Sequence, residues 1–244
     1  MKKFLGLIIG VFLFAFSARV EPYDTYIIKS SIAGSVVFCD KKKEAGYYKG
    51  LIVKIDDNQE KIELNKLLNQ KKFLQEEIEN QKEILKRKFD TYRRYKNLKT
   101  KSVEEKNIKF YDYIAAKNQL INLKNQLNGI NASIEKLKDT INKKNIKVNG
   151  YVDKVLVNKG DYVAPGTPVV EIDDISLVKL NVYVPLEKID KIKNKKIYID
   201  GKKRDFKIEK IWKVPDDKYI TSYKLEIVGK GLKIGEIVNV EFKN

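Results

Sequence analysis

The chain has 244 residues, enough for one or two domains at about 150 residues each, and 50 Lys+Arg against 33 Asp+Glu give it a formal charge of +17. It contains no His, one Cys and one Met, the first residue. That excludes histidine acid–base chemistry, a His-ligated metal, an intrachain disulfide and a thioether copper site, while 43% hydrophobic and 10% aromatic residues exclude a disordered polycation. Only five of the basic residues are Arg, the side chain that phosphate and base recognition favours, and the Lys residues run along the whole chain. No nucleic-acid partner is expected.

Lys2 and Lys3 precede an apolar run from Phe4 to Phe16, and Ala15-Phe16-Ser17 puts small residues at the −3 and −1 positions of a cleavage site. A positive start, a short apolar stretch and a small-residue exit predict a signal peptide over 1–17, hence export. An uncleaved anchor is the alternative, but a span needs roughly 20 apolar residues and the run has 13. Residues 18–26 then form a short N-terminal segment.

From Asn58 to Asn145 there is no Pro and a single Gly, Gly129. Tyr113, Leu120, Leu127, Ile134 and Ile141 recur every seven residues, with Ala116, Leu123, Ile130 and Leu137 three places later. That heptad predicts a coiled-coil helix. The first half is looser: Leu64, Ile78, Leu85 and Tyr92 alternate with Leu67, Leu74 and Tyr95, and Lys71, Gln81 and Lys88 interrupt the seam. The pattern breaks at Leu98-Lys99-Thr100-Lys101-Ser102, and Ser102 before Val103-Glu104-Glu105 reads as an N-cap with acids in the first turn. Two helices of about 40 residues, each roughly 60 Å long, thus form an antiparallel hairpin over 58–145. Phe73, Ile84, Phe89, Phe110 and Ile114 lie off its seam, apolar surface that suggests a partner unless the seam is wider than two positions.

The hairpin's flanks look like two copies of one unit. Short β-branched runs punctuated by Gly and Pro surround Gly150, Gly160, Pro165 and Gly166 and end at Ile172-Asp173-Asp174. On the N-terminal side stand Gly34, Gly46, Gly50 and Ile55-Asp56-Asp57, so that Gly34 matches Gly150 and Gly50 matches Gly166. A half-module, a long insertion and a second half-module predict one β domain, 27–57 plus 146–175, split by the hairpin. Residues 176–244 then read as strand (Leu177–Pro185), short helix (Leu186–Ile192) and further strands near 196–199, 206–211, 223–228 and 237–242.

The Gly-x-Val, Gly-x-x-Val-x-x-Gly and Ile-Asp pattern resembles a biotinyl/lipoyl carrier domain. A carrier domain split by a hairpin resembles the membrane fusion proteins, or periplasmic adaptors, of the HlyD/MacA/AcrA type. The resemblance implies an α+β fold: a long antiparallel coiled-coil hairpin inserted in a lipoyl-like β-sandwich, followed by a small β-barrel. It implies no cofactor, because the hairpin replaces the carrier's lysine-bearing turn, and no enzyme activity. It further implies a periplasmic protein at the inner membrane, a homo-hexamer, and partners in an inner-membrane ABC or RND transporter and a TolC-type outer-membrane channel. The family's tip pattern, Arg-Leu-x-x-Leu followed seven residues on by Ser, is matched in part by Arg94-Tyr95-Lys96-Asn97-Leu98, with Ser102 only four residues beyond. Arg94, Leu98, Lys99, Thr100, Lys101 and Ser102 are thus the candidate channel contacts. An exported structural scaffold or stalk is the alternative, which the split head argues against.

Overall fold

The computed structural model describes residues 15–193, 195–215 and 219–243. Mixed helix and antiparallel sheet make up the architecture. The strands are β1 (Ala15–Lys29), β2 (Gly34–Cys39), β3 (Gly46–Ile55), β4 (Asn145–Val155), β5 (Tyr162–Val163), β6 (Pro168–Pro185), β7 (Lys196–Ile199), β8 (Lys202–Lys203), β9 (Phe206–Ile211), β10 (Ser222–Gly229) and β11 (Ile237–Lys243). The helices are α1 (Asn58–Asn97), α2 (Val103–Lys143) and the single turn α3 (Ile189–Ile192). Hydrogen-bonded strands follow the order β5-β2-β3-β4-β6-β1-β11-β7-β8, with β10 branching from β6 and carrying β9.

Two apolar cores divide this sheet. One gathers Val36, Ile52, Ile55, Val152, Val170 and Ile172 from β2, β3, β4 and β6. The other gathers Val20, Leu180, Val182, Leu225, Ile227 and Val240 from β1, β6, β10 and β11. Period-two alternation does this work: along β6, Val178, Leu180, Val182 and Val184 are buried and the residues between them are not. Gly34 is fixed by contact, because a Cβ there would lie 2.5 Å from Ile55 Cγ2.

Strands β1 and β6 run through both cores, paired from Val20–Leu180 to Lys29–Pro168. The boundary expected at 175/176 therefore falls inside a continuous strand. The segment expected over 18–26 is not separate either, since it is the middle of β1, with Ala18 and Val20 in the core. The expected leader exit, Ala15-Phe16-Ser17, opens β1: these residues pair with Glu241, Val240 and Asn239 of β11. Phe16 meets Phe242 edge-on at 6.0 Å. Residues 1–14, the rest of the expected leader, lie outside the described residues. The equivalence of Gly50 and Gly166 also fails, because Gly50 sits inside β3 opposite Val148 and Gly166 in the turn before β6.

The two long helices pack antiparallel. Leu74, Ile78, Leu120 and Leu123 form their apolar centre, with Leu85, Leu127 and Ile130 against it, and Ala116 and Ile134 are also buried. All of these are heptad positions read from the sequence. Two of the three expected interruptions are polar ties: Gln81 Nε2 donates to the Ala116 carbonyl at 2.9 Å, and Lys88 Nζ to Asp112 Oδ2 at 3.3 Å. At the base, Lys144 is buried and its ammonium donates to the Asp56 carbonyl at 2.6 Å and to Glu60. Asp57, buried beside it, pairs with Lys54 at 3.3 Å and Lys61 at 3.1 Å. Burial pushes the Asp57 carboxyl up, but the two ammonium hydrogen bonds outweigh it and hold the group below the usual range.

If Ala15–Ser17 belong to the folded strand, a chain beginning at Ala18 is less stable than one beginning at Ala15. Loss of the half-buried Phe16 and its ring contact costs about 1–2 kcal/mol. Urea unfolding of the two purified chains should give a lower midpoint, with an unchanged slope, for the shorter one. Equal midpoints would show that the three residues contribute nothing.

Candidate functional site: the helical tip

Helix α1 ends at Asn97 and α2 begins at Val103, so the turn lies at the far end of two helices of 40 and 41 residues. Leu98 stands at the C-cap of α1, its N–H donating to the Tyr95 carbonyl at 3.2 Å, and its side chain is exposed. Lys99 and Thr100 form the exposed turn itself. Ser102 closes α2 with a capping box: the Glu105 N–H donates to Ser102 Oγ at 3.2 Å and the Ser102 N–H to Glu105 Oε2 at 2.9 Å. Two orphan donors of the first turn are thereby satisfied.

Lys101 joins this knot. Its ammonium donates to Glu105 Oε1 at 2.9 Å and stands 5.4 Å from the centre of the Tyr95 ring. Lys109 approaches the same ring at 5.8 Å. The hydrogen bond from Lys101, then that from the Ser102 backbone, lowers the Glu105 carboxyl, and the same pair raises Lys101. Arg94 lies apart: its guanidinium reaches Thr91 Oγ1 at 3.5 Å on its own helix. The structure thus links Lys101 and Ser102 through Glu105 and leaves Arg94, Leu98, Lys99 and Thr100 turned to solvent.

The sequence reading missed three things. Glu105 organises the turn, and its spacing from Ser102 was the available signal. Aromatic rings lock the last turns together: Phe89 with Tyr113 at 5.3 Å, Tyr92 with Phe110 at 5.3 Å, and Tyr92 stacked on Tyr113 at 6.1 Å. Phe89 and Phe110 therefore spend part of their surface within the chain, whereas Phe73 and Ile84 remain exposed as expected. Charge is also not even along the helices. Between Lys86 and Lys109 ten basic residues face three acidic ones, so the tip is a strongly cationic end with Leu98 and Val103 exposed at its apex.

No family model matches the sequence, and no curated protein matches it either. Solved structures do. MacA from Actinobacillus actinomycetemcomitans superposes with a TM-score of 0.78 at 16% identity, over 94% of this chain and 78% of that one. The membrane fusion protein Spr0693 from Streptococcus pneumoniae R6 is similar at TM-score 0.57 and 12% identity, over 95% and 99% of the two chains. The chain has the membrane fusion protein fold. ZneB from Cupriavidus metallidurans is similar at TM-score 0.53 and 14% identity, over 94% of this chain and 97% of that one. Identities this low carry the fold and leave the partners to be argued from the tip.

Replacing Ser102 by Ala removes one arm of the capping box and costs about 1 kcal/mol. Amide exchange at Val103–Lys106 should speed up about fivefold, while the apolar centre near Leu123 is unchanged and Ser102→Asp restores protection. Unchanged exchange in Ser102→Ala would show that the cap does not hold the turn.

Proposed function

We propose that this chain is the periplasmic adaptor subunit of a tripartite efflux or type I secretion system. In this reading it links an inner-membrane transporter, ABC or RND, to a TolC-type outer-membrane channel. One observation carries it: helices of 40 and 41 residues, about 60 Å long, project a capped, cationic tip away from a split strand module. Such a shape performs no bond chemistry and is suited to spanning a gap. The finer architecture is part of the same proposal: a lipoyl-like sandwich over 27–57 and 146–175, a coiled-coil hairpin over 58–145 and a β-barrel over 176–244, the sandwich and barrel being joined by the through-running β1 and β6. So is a hexamer whose hairpins stand side by side, with Phe73 and Ile84 between neighbours.

Arg94, Leu98, Lys99 and Thr100 are the exposed contacts for the channel in this account, and Lys101 and Ser102 hold the turn in shape. The net positive charge favours an acidic counterpart, since opposite potentials steer docking and fix register. A scaffold or stalk with no transport role remains the competing function, and a single experiment separates the two.

Cys39 is replaced by Ser, and single cysteines are placed at Lys99, Thr100 or Lys101, with controls at Lys82 and Lys124 on the shaft. Intact cells are crosslinked and adducts identified by mass spectrometry. The adaptor reading expects an outer-membrane channel trapped from the tip and not from the shaft. Tip cysteines that trap nothing, with shaft cysteines trapping only further copies of the chain, would sink it in favour of the scaffold.

A further inference from the structure

The core built around Leu180 and Val240 has two ends, and one of them carries exposed apolar side chains. Strands β1 and β6 part company beyond the Val20–Leu180 pair: β1 runs out to Ala15 along β11, and β6 runs out to Pro185 along β10. Both leave that pair in the same direction, because they are antiparallel. Only ten residues connect Pro185 to Lys196 at the start of β7, and within them Ile189 and Ile192 plug the core. Lys196 in turn pairs with Lys243, two residues beyond the partner of Ala15. The start of β1, the end of β6, the segment around α3 and the β9–β10 connection, whose Trp212 N–H donates to Lys224 O at 2.9 Å, therefore share one end.

That end is unusually apolar on its outside. Trp212 is 37% exposed, Val214 75%, Ile220 74%, Tyr219 42% and Leu186 39%. Two ring contacts fix the patch in place. Lys224 Nζ sits 4.9 Å from the centre of the Trp212 ring, and Tyr219 packs on Tyr183 at 4.3 Å. In sequence the segments at this end, 186–196, 212–222 and 241–243, carry eight lysines against Glu187, Asp190, Asp216, Asp217 and Glu241, and Lys193 and Lys243 are paired with Asp190 and Glu241. The chain also says what lies there. Phe4–Phe16 is one apolar run with no polar residue before Ser17, and β1 begins inside it at Ala15. Kept uncleaved, that run would hold the chain to a membrane at the end where β1 starts.

We propose that Trp212, Val214, Ile220 and Leu186 form a membrane-contact surface that rests in the headgroup region of an anionic bilayer. Trp and Tyr settle at that depth because the ring is apolar and its N–H or O–H stays wet. Lysines around an apolar patch add attraction to anionic headgroups. The contact sets the axis of the strand module against the membrane, which a single apolar run at one strand end would leave free to swing.

Trp212 is the only tryptophan in the chain, so its fluorescence reports the site directly. The full chain is made by cell-free synthesis into phosphatidylethanolamine vesicles containing phosphatidylglycerol, floated on a density gradient, and compared with vesicles of brominated lipid. The proposal expects a blue-shifted Trp212 emission, most of which is lost to the bromines. A Val214→Asp, Ile220→Asp chain should float yet lose that quenching. A Trp212→Phe, Tyr47→Trp chain, with its tryptophan on the 69% exposed site in β3, should float unquenched. Floating chains with Trp212 unquenched would overturn the proposal, as would a chain that does not float. Blue-shifted but unquenched emission would also overturn it, by showing that residues 1–14 or a second copy cover the patch instead of lipid.

Discussion

Everything the long helices do depends on how they are closed at the base. Strands β3 and β4 are separated by the two helices in sequence yet pair directly, Val53 with Ile146 and Lys54 with Asn145. The Ile55 N–H donates to the Lys144 carbonyl at 2.9 Å, so the end of β3 is bonded directly to the C-cap of α2. Lys144 seals this point: its buried ammonium binds the Asp56 carbonyl and the Glu60 carboxylate, joining the entry of α1 to the exit of α2. A buried charge without its partner is costly, on the order of 3 kcal/mol. The base is therefore held as a unit, and the helices leave the sheet in one direction.

The same logic joins the two cores. Continuous β1 and β6 replace the loop that a domain boundary would place between them. Side-chain bonds along the junction reinforce the pair, Thr25 donating to Asp173 at 2.7 Å and Asn181 to Glu21 at 2.7 Å, while Tyr23 ties β1 to Glu209 of β9 at 3.1 Å. The register slips once here, between Pro22 and Asp24.

The helices were legible from sequence because burial and period coincide: all nine heptad residues of α2 are buried or half-buried, and Ser102 ahead of two acids marks the turn. The split of one strand pair by an insertion was legible from the flanking glycines, although the match of Gly50 to Gly166 was spurious. The junction was not legible, because Asp173-Asp174 before Ser176 has the composition of a turn. In the fold these polar groups are satisfied inside a strand instead: Asp173 accepts from Thr25 across the pair, and Asp174 accepts the Ser176 N–H, its carboxyl lowered first by the Ser176 hydroxyl and then by that N–H. Ala15-Phe16-Ser17 misled for a related reason, since a small–large–small triplet fits both a leader exit and an alternating strand. The candidate tip residues lie at the α1–α2 turn or in the last turn of α1, but their division into exposed groups and a capped knot required the Lys101–Glu105–Ser102 geometry.

Function here follows from reach. The central claim is that two helices stand off from the strand module as one stiff rod and carry the tip to a distant partner. The direct test is a spin-label distance between Lys147, exposed in β4 near the base, and Thr100 at the tip, in a Cys39→Ser chain. A narrow distribution near about 60 Å, the length of a 40-residue helix, is the predicted result. A broad distribution centred well below that length would contradict the rod, and with it any account in which the tip spans a gap.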